Sequence, residues 1–169
     1  LKYDLKTLSS FWNFELHVGT VGLVDLVNKF IKFDGKTFDY DIIVLASGSQ
    51  PNFYNVIGHE NVFTAYSLED FMKISEMVSD LDDGSNIVVV GAGFVGLEVV
   101  GELLDALKFY GKRASISVVE LANSILSTYP NEMARGIAFD YFSKKGVKFV
   151  LGQSVKLLQR DKVVFANNN

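Results

Sequence analysis

The residues most able to do chemistry form one cluster, Gly91-Ala92-Gly93-Phe94-Val95-Gly96, with Glu98 just after it and Glu120 further along. The spacing is G-x-G-x-x-G, and each glycine has its own task. Gly91 allows a tight turn off a strand, Gly93 lets a pyrophosphate approach the backbone, and Gly96 lets a helix crowd the strand before it. Phe94 and Val95 open that helix, whose free N–H groups and dipole favour an anion by about 0.3–2 kcal/mol. Glu120 can accept hydrogen bonds from both hydroxyls of an adenosine ribose. A 2′-phosphate there would meet like charge, at a cost on the order of 4 kcal/mol for a unit pair about 4 Å apart at an effective dielectric near 20. The following Leu121-Ala122-Asn123 supplies no Arg to offset it, so the reading is NADH rather than NADPH. Two plainer readings stand beside these: glycines that only let a helix crowd a strand, and a Glu120 that is a solvated acid at a strand end. Glu98 is either an acid complementing the positive helix end or a carboxylate that orients the nicotinamide.

Such a corner needs a strand before it, a helix after it and a second strand beside the first. The pattern supplies them: a buried strand Ile87–Val90, a helix Phe94–Lys108 and a strand Ser115–Val119 ending at Glu120. A further helix is expected from about Asn131 to Lys145, then strands near 147–151, 154–158 and 162–166. Upstream, Ser67-Leu68-Glu69-Asp70 has the form of a capping box. Leu68, Phe71, Ile74, Met77, Val78 and Leu81 follow at helical spacing, so a helix over 67–80 is expected, ended by Asp82-Asp83-Gly84. The first part reads differently. Phe14, Leu16 and Val18 alternate, as do Val21 and Leu23, and Asp34-Gly35 between two apolar-rich runs reads as a two-residue type I′ hairpin. Ile42–Ala46 reads as a strand covered on both faces, ending in Ser47-Gly48-Ser49.

The bulk properties agree with a globular chain. Its 169 residues are 49% hydrophobic and 21% charged, enough to bury roughly two-thirds of the unfolded surface. Sixteen Lys and Arg against twenty Asp and Glu leave a charge of −4 without a long run of either sign, which argues against nucleic acid as a partner. With no Cys, thiol nucleophiles, Cys-type zinc sites and disulfide redox chemistry are excluded within this stretch. The apolar run Ile87–Leu97 is interrupted by glycines and shorter than the roughly 18 residues of a membrane span. The chain starts at Leu1 and ends in three Asn, and is read as a piece of a longer protein.

Other residues are weighed and set aside. His17 and His59 read as ordinary surface histidines, and no metal site, His-x-x-x-His pattern or Gly-x-Ser-x-Gly elbow is found. Phe11, Trp12 and Phe14 read as core packing, Asp39 and Asp41 around Tyr40 as a solvated edge, and Tyr129-Pro130 as an ordinary turn.

Taken together, these residues resemble the FAD-dependent pyridine nucleotide-disulfide oxidoreductases, in which an NADH domain is inserted into a flavin domain. The residues that carry it are Tyr40-Asp41-Ile42-Ile43-Val44-Leu45-Ala46-Ser47-Gly48-Ser49-Gln50-Pro51, then Ile57-Gly58, the Ser67–Asp70 segment, and the G-x-G-x-x-G-x-E run from Gly91 to Glu98. The likeness extends from about Phe38 to Phe165. Ser47 stands where the family has Thr, and keeps the hydroxyl. Thioredoxin reductases have a Cys pair before the glycine loop, and residues 58–90 hold none. The long segment from Gly96 to the second strand is most like type II NADH dehydrogenases.

The resemblance implies an α/β fold: a Rossmann-like dinucleotide-binding domain over 67–169, and over 1–66 part of a flavin-side domain containing antiparallel strands. It implies a parent enzyme using NAD(H) and FAD, with hydride passing from NADH to FAD and electrons onward to a quinone. Gly91, Gly93, Phe94, Val95, Gly96 and Glu120 would then bind NADH, Ser47 and Gly48 would lie where the nicotinamide meets the flavin, and Glu98 would be the catalytic residue, its carboxylate orienting the nicotinamide. A homodimer and peripheral membrane association are compatible with it, in the cytoplasm or at an inner-membrane or mitochondrial face. An NADH-dependent reductase of ferredoxin, oxygen or peroxide, and a non-catalytic nucleotide-binding redox module, remain as alternatives.

Overall fold

The computed structural model describes residues 3–159 and 161–166. The chain divides into two compact units, Leu1–Gly48 and Ser49–Asn169.

In the first unit, helix α1 (Leu5–Trp12) is capped by Asp4, whose carboxylate accepts the N–H groups of Lys6 and Thr7. Sequence pattern alone had not indicated this helix. Strands β1 (Val21–Asp25), β2 (Phe30–Phe33) and β3 (Lys36–Asp39) form an antiparallel meander. The β2–β3 turn is the expected one, with Asp34 at φ 46° and Gly35 at φ 78°, as a type I′ turn requires. The β1–β2 turn is closed by Asp25, whose Oδ1 accepts the N–H groups of Val27 and Asn28, and the Tyr40 hydroxyl donates to the Asp25 carbonyl at 3.0 Å.

Three expectations for this unit are corrected. Residues 14–18 form no strand. Phe11 and Trp12 are not core: they are 82% and 71% exposed and touch each other edge to face. The covered strand at Ile42–Ala46 is not formed either, and Ile42, Val44 and Leu45 lie open to solvent. A parallel strand draws its order from neighbours on both edges and cover on both faces, and among the described residues no strand pairs with this segment.

In the second unit, helix α2 (Leu68–Asp80) begins with the capping box read from the sequence. Ser67 Oγ accepts the Asp70 N–H at 3.1 Å, and Asp70 Oδ2 accepts the Ser67 N–H at 3.0 Å and the Thr64 hydroxyl at 2.7 Å. Then follow β4 (Ser85–Val90), α3 (Phe94–Phe109), β5 (Ala114–Val119), α4 (Glu132–Lys144) and β6 (Lys148–Val150). The three strands are parallel in the order β4-β5-β6, with Ile87 opposite Ile116 and Val118 opposite Phe149. Strands β7 (Val155–Leu158) and β8 (Val163–Phe165) form an antiparallel pair. Residues 49–66, read from sequence as flavin-side, pack with this unit. Ile57 bridges β7, donating to Lys156 O at 3.1 Å and accepting from Leu158 N–H at 2.8 Å.

The core lies between α3 and the parallel sheet. Leu97, Val100, Leu103 and Leu107 recur on one face of α3 and are buried with Ile116, Val118, Ile125, Val147 and Val78 of α2. Each such side chain contributes roughly 1.5–3 kcal/mol on burial. Strand β4 is covered on one face only, since Val88 and Val90 are about half exposed. The unbroken Ile87–Val90 run had suggested burial on both.

Candidate functional site

The glycine corner is built as the sequence required. Gly91 sits at φ 104°, a backbone state that side chains oppose, and its N–H donates to Val119 O at 2.8 Å, tying the end of β4 to the end of β5. A Cβ on Gly96 would stand 2.1 Å from the Gly91 carbonyl oxygen, so helix and turn touch there backbone to backbone. A Cβ on Gly93 would meet nothing within 4 Å, so the space in front of that backbone is open. Gly93 caps α3 without any side-chain hydrogen bond, and Leu97 N–H is the donor to its carbonyl. The N–H groups of the first helical turn therefore lack intrahelical acceptors and lie beside that open space. An anion approaching the backbone would find donors rather than side chains.

Glu120 is aimed at this corner. Its Oε2 accepts the Ala92 N–H at 2.7 Å and its Oε1 accepts the Ala122 N–H at 2.9 Å, while its backbone is pinned by Val150 O and Gln153 N–H. A carboxylate offers about four lone-pair sites. Two are used here, and one remains on each oxygen, which matches the two donors of a ribose cis-diol. The geometry and donor set thus fit an adenosine diphosphate group: donors for the phosphates, an acceptor pair for the sugar.

Phe94 and Val95, on the first turn of α3, are 54% and 57% exposed. Glu98 is exposed one turn further and, with Phe71, Val95, Val99 and Glu102, lines a shallow depression of about 270 Å³ between α2 and α3. Gly91, Gly93, Phe94, Val95, Gly96, Glu98 and Glu120 thus belong to one region of the second unit. Ser47 and Gly48 lie at the end of the first unit, exposed, with Gly48 at φ 78°. His59 stacks on Phe53 with its Nδ1 3.0 Å from Val56 O, and His17 pairs with Glu15 at 2.9 Å. Among the described residues no cluster of three or more acids or histidines could hold a metal.

Sequence reasoning missed the residue most firmly tied into this corner. Ala92 is fully buried, its N–H taken by Glu120 and its carbonyl by the Leu126 N–H at 2.8 Å. It missed too that Tyr129 returns to the site, its ring 5.6 Å from that of Phe94 at an interplanar angle of 81°.

The family model of pyridine nucleotide-disulphide oxidoreductases matches residues 13–169. The chain belongs to that family. Its members are FAD-dependent oxidoreductases using NAD(H). Among curated relatives, apoptosis-inducing factor 3 of Mus musculus is 34% identical over 139 residues, covering 80% of this chain and 21% of that protein. The type II NADH:quinone oxidoreductase of Staphylococcus saprophyticus is 30% identical over 151 residues, covering 78% of this chain and 37% of that one. A ferredoxin reductase structure from Rhodopseudomonas palustris superposes on the whole chain with a TM-score of 0.75 at 21% identity, over 42% of its own length, and shows the shared fold. The chain thus spans about a fifth to two-fifths of the length of these relatives.

Proposed function

We propose that this chain supplies the NADH-binding region of a flavin-dependent NADH dehydrogenase. The observation that carries the reading is the pairing of an open glycine corner with a carboxylate already directed at it from the end of β5. In this reading the first-turn N–H groups at Phe94, Val95 and Gly96 hold the pyrophosphate, and the free lone pairs of Glu120 hold the ribose hydroxyls. A 2′-phosphate brings negative charge and no donor to Glu120, so NADH is preferred over NADPH. Glu98 is proposed to orient the nicotinamide, and Ser47 and Gly48 to face the flavin in the parent protein. NADH, when bound, supplies the hydride and the flavin accepts it; this chain's residues position and neutralise charge.

The proposed acceptor is a quinone, supported by the relationship to the staphylococcal type II NADH:quinone oxidoreductase. A reductase of an iron–sulfur protein is the second reading, favoured by the terpredoxin reductase of Pseudomonas sp, 30% identical over 130 residues. No described helix is long and apolar enough to cross a membrane; peripheral association of the parent protein with a quinone-bearing bilayer is part of this proposal. Titration of the chain with NADH and NADPH tests the binding role, and equal affinity for both would remove the case for Glu120. Turnover of the parent protein with a soluble quinone, with oxygen and with an oxidised ferredoxin separates the acceptors.

A further inference from the structure

Arg135 is an unusual charge. Its side chain is 21% exposed, against 87% for Arg113, the other ion-paired arginine among the described residues. It stands four residues after the Asn131 cap of α4, near the positive end of the helix, where a cation is disfavoured. Its partner Glu132 is 87% exposed and 3.3 Å away, a weak compensation. What the partly buried guanidinium does reach is a backbone carbonyl: Nη1 donates to Tyr129 O at 3.1 Å. The Tyr129 N–H in turn donates to Leu126 O at 2.8 Å, closing a turn in which Leu126 is held at φ 47°. From that turn, Leu126 N–H binds the Ala92 carbonyl and the Tyr129 ring meets Phe94. One guanidinium is thereby linked through a single turn to two points of the glycine corner.

We propose that Arg135 is a positioning residue for the dinucleotide site: by holding the Tyr129 carbonyl it fixes the 126–129 turn, which keeps the Tyr129 ring against Phe94 and the Ala92 carbonyl paired. This rests on the dinucleotide reading above. In this proposal Arg135 acts through Tyr129 and Glu132, the acceptors of its two hydrogen bonds, and does not itself touch the ligand. Its loss acts on NADH affinity and leaves the chemical step alone.

The test titrates NADH into the wild-type chain and into Arg135→Met, Arg135→Lys, Tyr129→Leu and the Arg135→Met/Tyr129→Leu double variant. Each single loss is expected to weaken NADH by about two- to tenfold, the scale of one edge-to-face ring contact. The double variant should be no weaker than the worse single, and Arg135→Lys should recover part of the loss. In turnover of the parent protein, KM for NADH rises and kcat holds. A folded Arg135→Met chain with wild-type affinity, or a double variant whose losses multiply, overturns the proposal. Should Arg135→Met not fold, Tyr129→Leu still decides, because it keeps the arginine–carbonyl bond and removes only the ring; unchanged affinity there overturns it equally. If the wild-type chain binds no NADH, the dinucleotide reading fails first and this one with it.

Discussion

The Glu120→Gln substitution tests the site at its most constrained point. Both carboxylate oxygens accept backbone N–H groups, Ala92 at 2.7 Å and Ala122 at 2.9 Å. Glutamine keeps one acceptor and must turn its NH2 toward the other donor. One N–H then loses its partner, and at Ala92 that N–H belongs to a fully buried residue. A buried donor left unpaired costs about 1–3 kcal/mol. The ribose loses a charged acceptor, which is expected to weaken NADH about tenfold. NADPH gains from removal of like charge, about 4 kcal/mol before solvent screening, so the NADH:NADPH preference should fall by about ten- to a hundredfold. The sole Trp lies in α1 of the other unit, so its fluorescence is the wrong probe, and two compact units make a single unfolding midpoint ambiguous. Amide hydrogen exchange at Ala92 and Ala122, with paired NADH and NADPH titrations, reads the effect directly. A Glu120→Gln chain with unchanged exchange at both amides and an unchanged cofactor preference would refute the reasoning.

Three further substitutions divide the remaining claims. Gly96→Ala places a methyl 2.1 Å from the Gly91 carbonyl and should destabilise the second unit by about 1–3 kcal/mol, measured by calorimetry. Gly93→Ala meets nothing in the protein and should leave the melting profile intact while abolishing NADH binding; full binding there would mean the pyrophosphate sits elsewhere. Glu98→Gln should slow hydride transfer to the flavin in single-turnover experiments on the parent protein, and an unchanged rate would assign Glu98 to the helix dipole alone. Four carboxylates contribute to an acid limb, Asp4 and Asp25 in the first unit and Asp70 and Asp83 in the second. Asp70 is held below the usual carboxylate pKa of 3.8 chiefly by the Ser67 N–H and then the Thr64 hydroxyl, and Asp83 chiefly by the Arg113 N–H and then its guanidinium. A pKa lowered on folding contributes stability that is complete above the unfolded value and lost as pH falls through the folded one. Acid unfolding should therefore begin as pH drops below about 4, and Asp70→Asn should flatten that limb while lowering the neutral-pH plateau.

What the sequence made legible was local. The capping box at Ser67–Asp70, the Asp34-Gly35 turn and the strand–glycine–helix–strand run each depend on neighbouring residues, and each forms where expected, to within a residue or two at the ends. The failures share the opposite cause. Ile42–Ala46 has the composition of a central parallel strand, yet such a strand is made by its neighbours, and the described residues supply none. Val88 and Val90 read as buried for the same reason: an unbroken apolar run records what a face prefers, and only a covering layer can bury it. In α1, Asp4 and Thr7 make the cap, but the aromatic residues at its end drew the reading toward a core they do not enter.

The candidate site divides along the same line. Gly91, Gly96 and Glu120 were readable because each meets a demand that few other residues satisfy: a positive φ at Gly91, a backbone contact at Gly96, a carboxylate within reach of two N–H groups. Ala92 carries no such mark. A small residue between two glycines looks like filler, and its weight comes from having both backbone groups claimed, one by Glu120 and one by Leu126, segments that fold back from far along the chain. Arg135 did carry a signal, a cation near the positive end of a helix, where the dipole alone would place an acid. A partly buried residue that breaks a local rule is answering to a contact outside its own helix, and here that contact is the Tyr129 carbonyl, one turn from the glycine corner.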